Sequence, residues 1–328
     1  MAPLSQALPQ VSVIVPVFND AARLQRCLKA LEQQTYPQSD YQVIVVDNDS
    51  DNQAEILSLV EQFSQAIAAV ETTPGSYAAR NRGIQLAQGE AIAFTDADCI
   101  PAADWLEKGV QKLLAHSHCG LVSGNIEIFP QDAEHPTAVE LFEIATAFPQ
   151  EQHLRDMKYG ATANLFTWKA VIEAVGPFNE TLKSGGDLDW GQRVYRAGYQ
   201  QVYGAEVRVA HPARVSLAQI HQKTIRLAGG HYDLLNRNLY HFFHQGTLPY
   251  TLTQQKWIPP KLLNHLIFGV ILGQDLIPPV MYVMSVFRSS KLSRISEKVK
   301  VSLVIFFVRY SSAWAKIRLR LGASPARV

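Results

Sequence analysis

Two aspartates one residue apart, Asp96 and Asp98, directly follow the apolar run AIAFT at 91–95. Carboxylates at i and i+2 on a turn that ends a strand can face one divalent ion. A hard cation such as Mg2+ or Mn2+ takes oxygen ligands and leaves positions for water and substrate phosphates. An isolated Asp-x-Asp is a common exposed turn, so placement decides what it means. A second acidic group, Asp47-Asn48-Asp49-Ser50, ends the run YQVIVV at 41–46 in the same way. Three cysteines, Cys27, Cys99 and Cys119, lack a C-x-x-C spacing and are too few for a disulfide scaffold. They point to a reduced, cytosolic setting. Cys99, although next to Asp98, reads as a small packed residue.

The elements that must hold these acids alternate along the chain. VSVIVPV (11–17) is a strand, followed by a helix over 21–34 with Leu24, Leu28 and Leu31 on one face and Asn19 or Asp20 as its cap. A strand at 41–46, a helix at 53–65, a strand at 68–72, a helix at 78–88 closed by Gly89, and the strand at 91–95 complete a β-α-β-α-β-α-β series. Continuous apolar strands in such an alternation form a mostly parallel sheet covered on both faces. Ligands of these sheets sit at the carboxyl ends of the strands. The acids at 47–49 and 96–98 both occupy such ends and should converge on one crevice. A helix at 105–115, a strand at 120–128, a mixed helical stretch at 134–158, a strand at 164–167, a helix at 169–175, a helix carrying Arg193 and Arg196, and a last strand at 201–208 follow. Residues beyond about 215 read as helical.

PVFN (16–19), VVDNDS (45–50), AARNRGI (78–84), GEAIAFTDADCIPAADWL (89–106) and GGDLDWGQRVYRAGY (185–199) resemble, in order and spacing, the motifs of the family 2 glycosyltransferases of the GT-A fold. The resemblance spans about residues 10–212. It implies a GT-A domain over 11–215, a nucleotide-sugar donor with uridine as the default base, Mn2+ or Mg2+ as cofactor, and inversion at the anomeric carbon. Pro16, Val17, Phe18 and Asn19 would then line the nucleotide pocket. Asp47 and Asp49 would meet the uracil N–H and a ribose hydroxyl, unless they serve an Asx-turn or a helix cap. Arg80 would sit beside base and diphosphate. Asp96 would contact the ribose, Ala97 would pass beside the donor, and Asp98 would bind the metal, with Asp96 and His211 as further metal ligands.

The resemblance also assigns the reaction. An inverting transfer needs one carboxylate to take the acceptor's proton. Asp187 corresponds to that base, with Asp189 as the alternative if the turn is rotated. The family's usual Glu-Asp pair is here Gly186-Asp187, so the first acid, which helps hold the acceptor, is missing. Trp190 offers either an aromatic face for an acceptor sugar or a core anchor for its helix. Lys223 and Arg226, near Gly229-Gly230, are cations that could clasp the diphosphate, or lie on a solvated helix face.

Charge is unevenly placed. From Arg288 onward there are ten Lys or Arg and one acid, Glu297, a net +9; the chain as a whole is +1, which leaves −8 on residues 1–287. A near-neutral chain with an acidic body is not a nucleic-acid binder by composition. Before the basic block, residues 262–287 are apolar but broken by Asp275 and Pro278-Pro279. An aspartate in mid-span costs about 2.5–3.5 kcal/mol on insertion. Residues 216–328 are therefore expected to be helical and membrane-associated, peripheral at the inner face of the plasma membrane, near a saccharide or lipid-linked acceptor. Packing on the catalytic domain or on a second copy of the chain is the alternative. A membrane-associated scaffold that kept the fold and lost catalysis is the competing function. Gly186 favours that scaffold, and the acids at 96, 98 and 187 oppose it.

Overall fold

The computed structural model describes residues 8–236, 260–289 and 291–323. Strands β1 (Val11–Val17), β2 (Tyr41–Asp47), β3 (Ala66–Val70) and β4 (Ala91–Thr95) are parallel, in the spatial order β3-β2-β1-β4. Val13, Ile14 and Val15 of β1 are all fully buried. Successive side chains of a strand point to opposite faces, so this central strand is covered on both. Each such side chain contributes about 1.5–3 kcal/mol by leaving water.

Beyond β4 the sheet reverses. β7 (Asn164–Trp168) runs antiparallel to β4, and β6 (Cys119–Phe129), β8 (Gln200–Pro212) and the two-residue β5 (Ile100–Pro101) complete the order β7-β6-β8-β5. The sheet is therefore mostly parallel, with antiparallel pairing where β7 meets β4 and β6 and where β5 meets β8.

Helix α1 (Ala21–Glu32) buries Leu24, Cys27, Leu28 and Leu31. Its cap is Asp20, whose carboxylate accepts from the Arg23 amide. Helix α2 (Gln53–Val60) stops five residues before the expected end. Phe63 turns into the core, and its carbonyl accepts from the Ala66 amide, which starts β3 two residues early. Helix α3 (Ser76–Leu86) begins behind Gly75, whose φ of 126° only glycine adopts readily. α4 (Trp105–Ala115) and α7 (Lys169–Val175) lie where expected. The mixed stretch resolves into α5 (Ala138–Thr146), the short α6 (Gln150–Gln152) and a π-helical turn at His153–Met157. α8 (Gly186–Arg196) precedes β8.

The chain divides into two compact units. One comprises 8–127, 149–180 and 186–211 and holds most of the sheet; the other takes 128–148, 181–185 and the described residues from 212 onward. In the second, α9 (Leu217–Asn236), α10 (Pro260–Leu276), α11 (Val280–Arg288) and α12 (Ile295–Arg320) join α5. Leu141, Val286, Leu292, Val301 and Ile305 form one buried cluster there, and Val139, Ile220 and Val304 another. Among the described residues no single helix is long and apolar enough to cross a membrane; Phe268–Leu276 with Val280–Arg288 would qualify only as a pair bent by 56°. Asp275, the interruption in that run, is buried and accepts from Lys316 Nζ at 2.5 Å and Ser312 Oγ at 2.7 Å. α12 thus neutralises the charge that breaks α10.

Candidate active site

The carboxyl ends of β1, β2 and β4 carry three loops, and two of them are stitched together. The Asn19 amide donates to Ser50 Oγ (2.8 Å), Asn19 Nδ2 to Asp51 Oδ2 (3.0 Å), and the Asp51 amide to Asn19 Oδ1 (2.8 Å). Asn19 and Asp49 both have positive φ, 52° and 62°, which Asn and Asp tolerate better than most residues. Pro16 and Val17 end β1, and Phe18 stands 57% exposed above it. Asn48 was not singled out from the sequence. It donates to the Glu71 and Thr73 carbonyls and accepts from the Gly75 amide, fixing the approach to α3.

Asp47 is fully buried, and its Oδ2 is spent on the Ser50 amide (3.2 Å) and Gln53 Nε2 (3.0 Å). The Asx-turn alternative therefore describes this oxygen. Oδ1, buried without a hydrogen-bond partner, is the one left for a base. Asp49 is exposed at the tip of the loop.

Behind β4, Asp96, Asp98, Cys99 and His211 offer ligand atoms that all lie within 4.8 Å of one another. His211 Nε2 is 3.6 Å from Asp98 Oδ1. Ala97, between the two acids, is buried. Burial, aided by the charges of Asp96 and Asp98, pushes the Cys99 thiol well above its usual value. It remains a neutral thiol and a poor ligand, which leaves two carboxylates and an imidazole. That donor set fits a Mn2+-like ion better than Mg2+, which strongly prefers oxygen.

Arg80 is buried and binds Asp96 Oδ1 through Nη2 at 2.5 Å, with its guanidinium 5.8 Å from the Tyr77 ring centroid. Its Nε is buried with no partner. Burial alone would lower the Arg80 value, but Asp96 and Asp187 raise it. The guanidinium is thus primarily the counter-ion of Asp96. Its partnerless Nε could make the donor contact expected from the sequence.

The acids of α8 are treated unequally. Asp187 Oδ2 accepts from the Thr162 amide at 3.1 Å and its hydroxyl at 3.4 Å, while Oδ1 is buried with no partner. Asp189 is 8% exposed and holds Arg193 Nε at 3.1 Å; that guanidinium also donates to the carbonyls of Val175, Gly176 and Pro177. Asp189 thus anchors α8 through its Oδ2.

Around Asp187 stand groups that sequence reading passed over. His153, on the π-helical turn, stacks on Tyr159 at 4.7 Å. Burial lowers its value from 6.5 to about 4, against the opposing pull of Asp187, so the imidazole near that carboxylate is neutral. A histidine with no metal spacing gave no signal of this role.

Three further expectations change. Trp190 is fully buried, lies 5.4 Å from the Phe178 ring, and donates Nε1–H to the Gly176 carbonyl at 3.1 Å. It is the core anchor and offers no face to an acceptor sugar. Gly186 is buried and has no side chain to hold an acceptor. Lys223, on α9, is not on a solvated face but donates to Glu143 at 2.6 Å, and Arg214 shares that carboxylate at 3.1 Å. Arg226 follows one turn later on α9.

The matches to known proteins agree with this geometry. Residues 12–171 match the family described as "Glycosyl transferase family 2". The chain is 39% identical over 233 residues to glycosyltransferase AglE of Haloferax volcanii, which covers 69% of this chain and 74% of that protein. It is 29% identical over 219 residues to the pre-mycofactocin glycosyltransferase of Mycobacterium tuberculosis, covering 63% of this chain and 43% of that one. The fold is similar to that of mannosyltransferase PcManGT from Pyrobaculum calidifontis, solved with GDP-Man and Mn2+, at a TM-score of 0.62 and 20% identity over 96% of this chain and 87% of the other. The architecture is that of a GT-A glycosyltransferase. The chain belongs to glycosyltransferase family 2.

Proposed function

We propose that this glycosyltransferase is metal-dependent and inverting, and that it moves a sugar from a nucleoside-diphosphate donor to a hydroxyl of a saccharide or lipid-linked acceptor. The observation that carries the reading is the pairing of two sites in one unit. One is the Asp96, Asp98 and His211 set; the other is Asp187, a half-buried carboxylate with one buried oxygen left open. Bound there, Mn2+ or Mg2+ would supply charge neutralisation for the departing nucleoside diphosphate. Asp98 and His211 would hold it, and Arg80 would orient Asp96. Asp187 Oδ1 would accept the proton of the acceptor hydroxyl as that oxygen attacks the anomeric carbon opposite the leaving group. Thr162 fixes the other oxygen, so the accepting lone pairs keep one direction.

The donor nucleotide follows from a panel. UDP- and GDP-sugars are screened with Mn2+ for thermal stabilisation, with uridine the base expected from the motifs. The matching donor at a hundredfold excess over its Kd should add about 2.7 kcal/mol. Stabilisation that survives EDTA or Asp98→Ala would sink the metal assignment.

A membrane location is supported by the second unit alone. Ile277, Met281, Ile295, Leu303 and Trp314 are each at least 60% exposed, in a segment whose sequence carries the +9 block. We place this unit on the inner face of the plasma membrane. Its apolar side chains would enter the headgroup region, while Lys and Arg meet anionic lipid at about 1 kcal/mol each. Co-sedimentation with anionic vesicles should be salt-sensitive and lost on Ile277→Glu with Met281→Glu. No loss, or a stable soluble dimer that covers these residues, would favour a soluble acceptor.

A further inference from the structure

The missing side chain at 186 has a physical cause 109 residues earlier in the chain. A Cβ built on Gly186 would stand 2.6 Å from Tyr77 Cζ and 2.7 Å from its Cε1 and Cε2. Carbon atoms do not approach so closely, so the Tyr77 ring occupies the space that any side chain at 186 would need. The ring is itself fixed. It is 8% exposed, stacks on Phe178 at 5.9 Å, and lies under the Arg80 guanidinium. Its Cζ, which carries the phenol oxygen, stands 2.6 Å from where that Cβ would be, one residue from Asp187.

We infer that Tyr77, whose ring fills the space a side chain at 186 would need, is a positioning residue for Asp187. The inference rests on Asp187 being the base. The terminal torsion of an aspartate is broad, so a carboxylate held at one oxygen still swings. Thr162 holds Oδ2, and a rigid aromatic with two side-chain torsions restrains the carboxylate from the same side at little entropic cost, leaving Oδ1 open. A phenol O–H beside a carboxylate makes a short, charge-assisted hydrogen bond. Burial, with the Asp187 charge next to it, keeps the Tyr77 phenol protonated far above neutral pH, so it can only donate to that carboxylate.

Two linked measurements test this. The first is release of nucleoside diphosphate from UDP-glucose or GDP-mannose with Mn2+, for Tyr77→Phe, Asp187→Asn and the double variant. Tyr77→Phe keeps the ring packing and should keep Tm and donor KM, while kcat falls by up to about 10²-fold, the scale of a misplaced group. Added to Asp187→Asn it should cost nothing more, because it acts through that carboxylate. The second is a melting cycle: Gly186→Ala should lower Tm markedly in the native background and little when Tyr77→Ala has removed the ring. Wild-type turnover in Tyr77→Phe, or an undiminished extra loss on top of Asp187→Asn, overturns the positioning role. An equal Tm loss from Gly186→Ala with and without the ring overturns the pairing. Full turnover in Asp187→Asn would remove the base assignment, and the positioning role with it. The melting cycle would still report on the 77–186 contact alone.

Discussion

The two units bury acids in opposite ways. In the helical unit, Glu143 is 1% exposed and both its oxygens are engaged, by the Arg214 amide and guanidinium and by Lys223. Burial would raise its value, but those two cations hold it below the ordinary carboxylate range. Asp275 has Lys316 and Ser312 on its Oδ2. In the sheet unit, Asp47 and Asp187 each keep one buried oxygen with no partner. An unsatisfied buried acceptor costs about 1–3 kcal/mol. Among the described residues, a fold that pairs its buried acids with cations in one unit and leaves buried carboxylate oxygens open in the other has placed its strain where a substrate can relieve it.

Four substitutions break or sharpen that contrast, in falling order of effect. Asp187→Asn removes the proton acceptor and keeps the shape. Turnover should drop by about 10²–10⁴-fold with Tm near wild type, and a variant that unfolds would show Asp187 to be structural. Glu143→Ala should do the reverse. It strands Arg214 and Lys223, and urea unfolding should register a loss of about 3–5 kcal/mol. An unchanged midpoint would mean that the cluster contributes specificity and not stability.

His153 comes third. The folded chain keeps its imidazole neutral, with its value down at about 4, while the unfolded chain protonates near 6.5. Its stabilising contribution is therefore complete above pH 6.5 and is lost as pH falls toward 4, by at most about 3 kcal/mol. Stability measured across that window should be flatter for His153→Gln; parallel curves would place His153 in water. The smallest effect is expected of Trp190→Phe, which loses one hydrogen bond and some packing, about 1–2 kcal/mol. Turnover should stay near wild type. A selective rise in acceptor KM would return Trp190 to the acceptor site.

The parts of this arrangement visible in the sequence are those made locally. β1, β2 and β4 are short apolar runs, and β2 and β4 end in acids, so Asp96 and Asp98 could be placed at a strand end without any structure. What stayed hidden depends on partners far away in the chain. Trp190 reads as amphipathic-helix surface or core until Gly176 and Phe178 appear against it. Arg80 looks like a free cation until Asp96 takes it. The motif favours Asp187 over Asp189, and the partners that separate their surroundings, Thr162 and Arg193, are not visible in it. The antiparallel part of the sheet follows the same rule. β7 pairs with both β4 and β6, strands that lie well before it in the chain, and no alternation of short runs encodes that order.

The stitching of Asn19 to Ser50 and Asp51 has an evolutionary consequence. Each loop supplies both donors and acceptors to the other, and each turns through a left-handed residue at the tip. An insertion in one would unmake the bonds of both, so the two must be inherited together or lost together. Divergence in what descendants of this chain transfer, and to what, is then channelled away from the first and second loops. It falls instead on segments such as 153–162, which flank Asp187 and carry no such mutual lock to the nucleotide side.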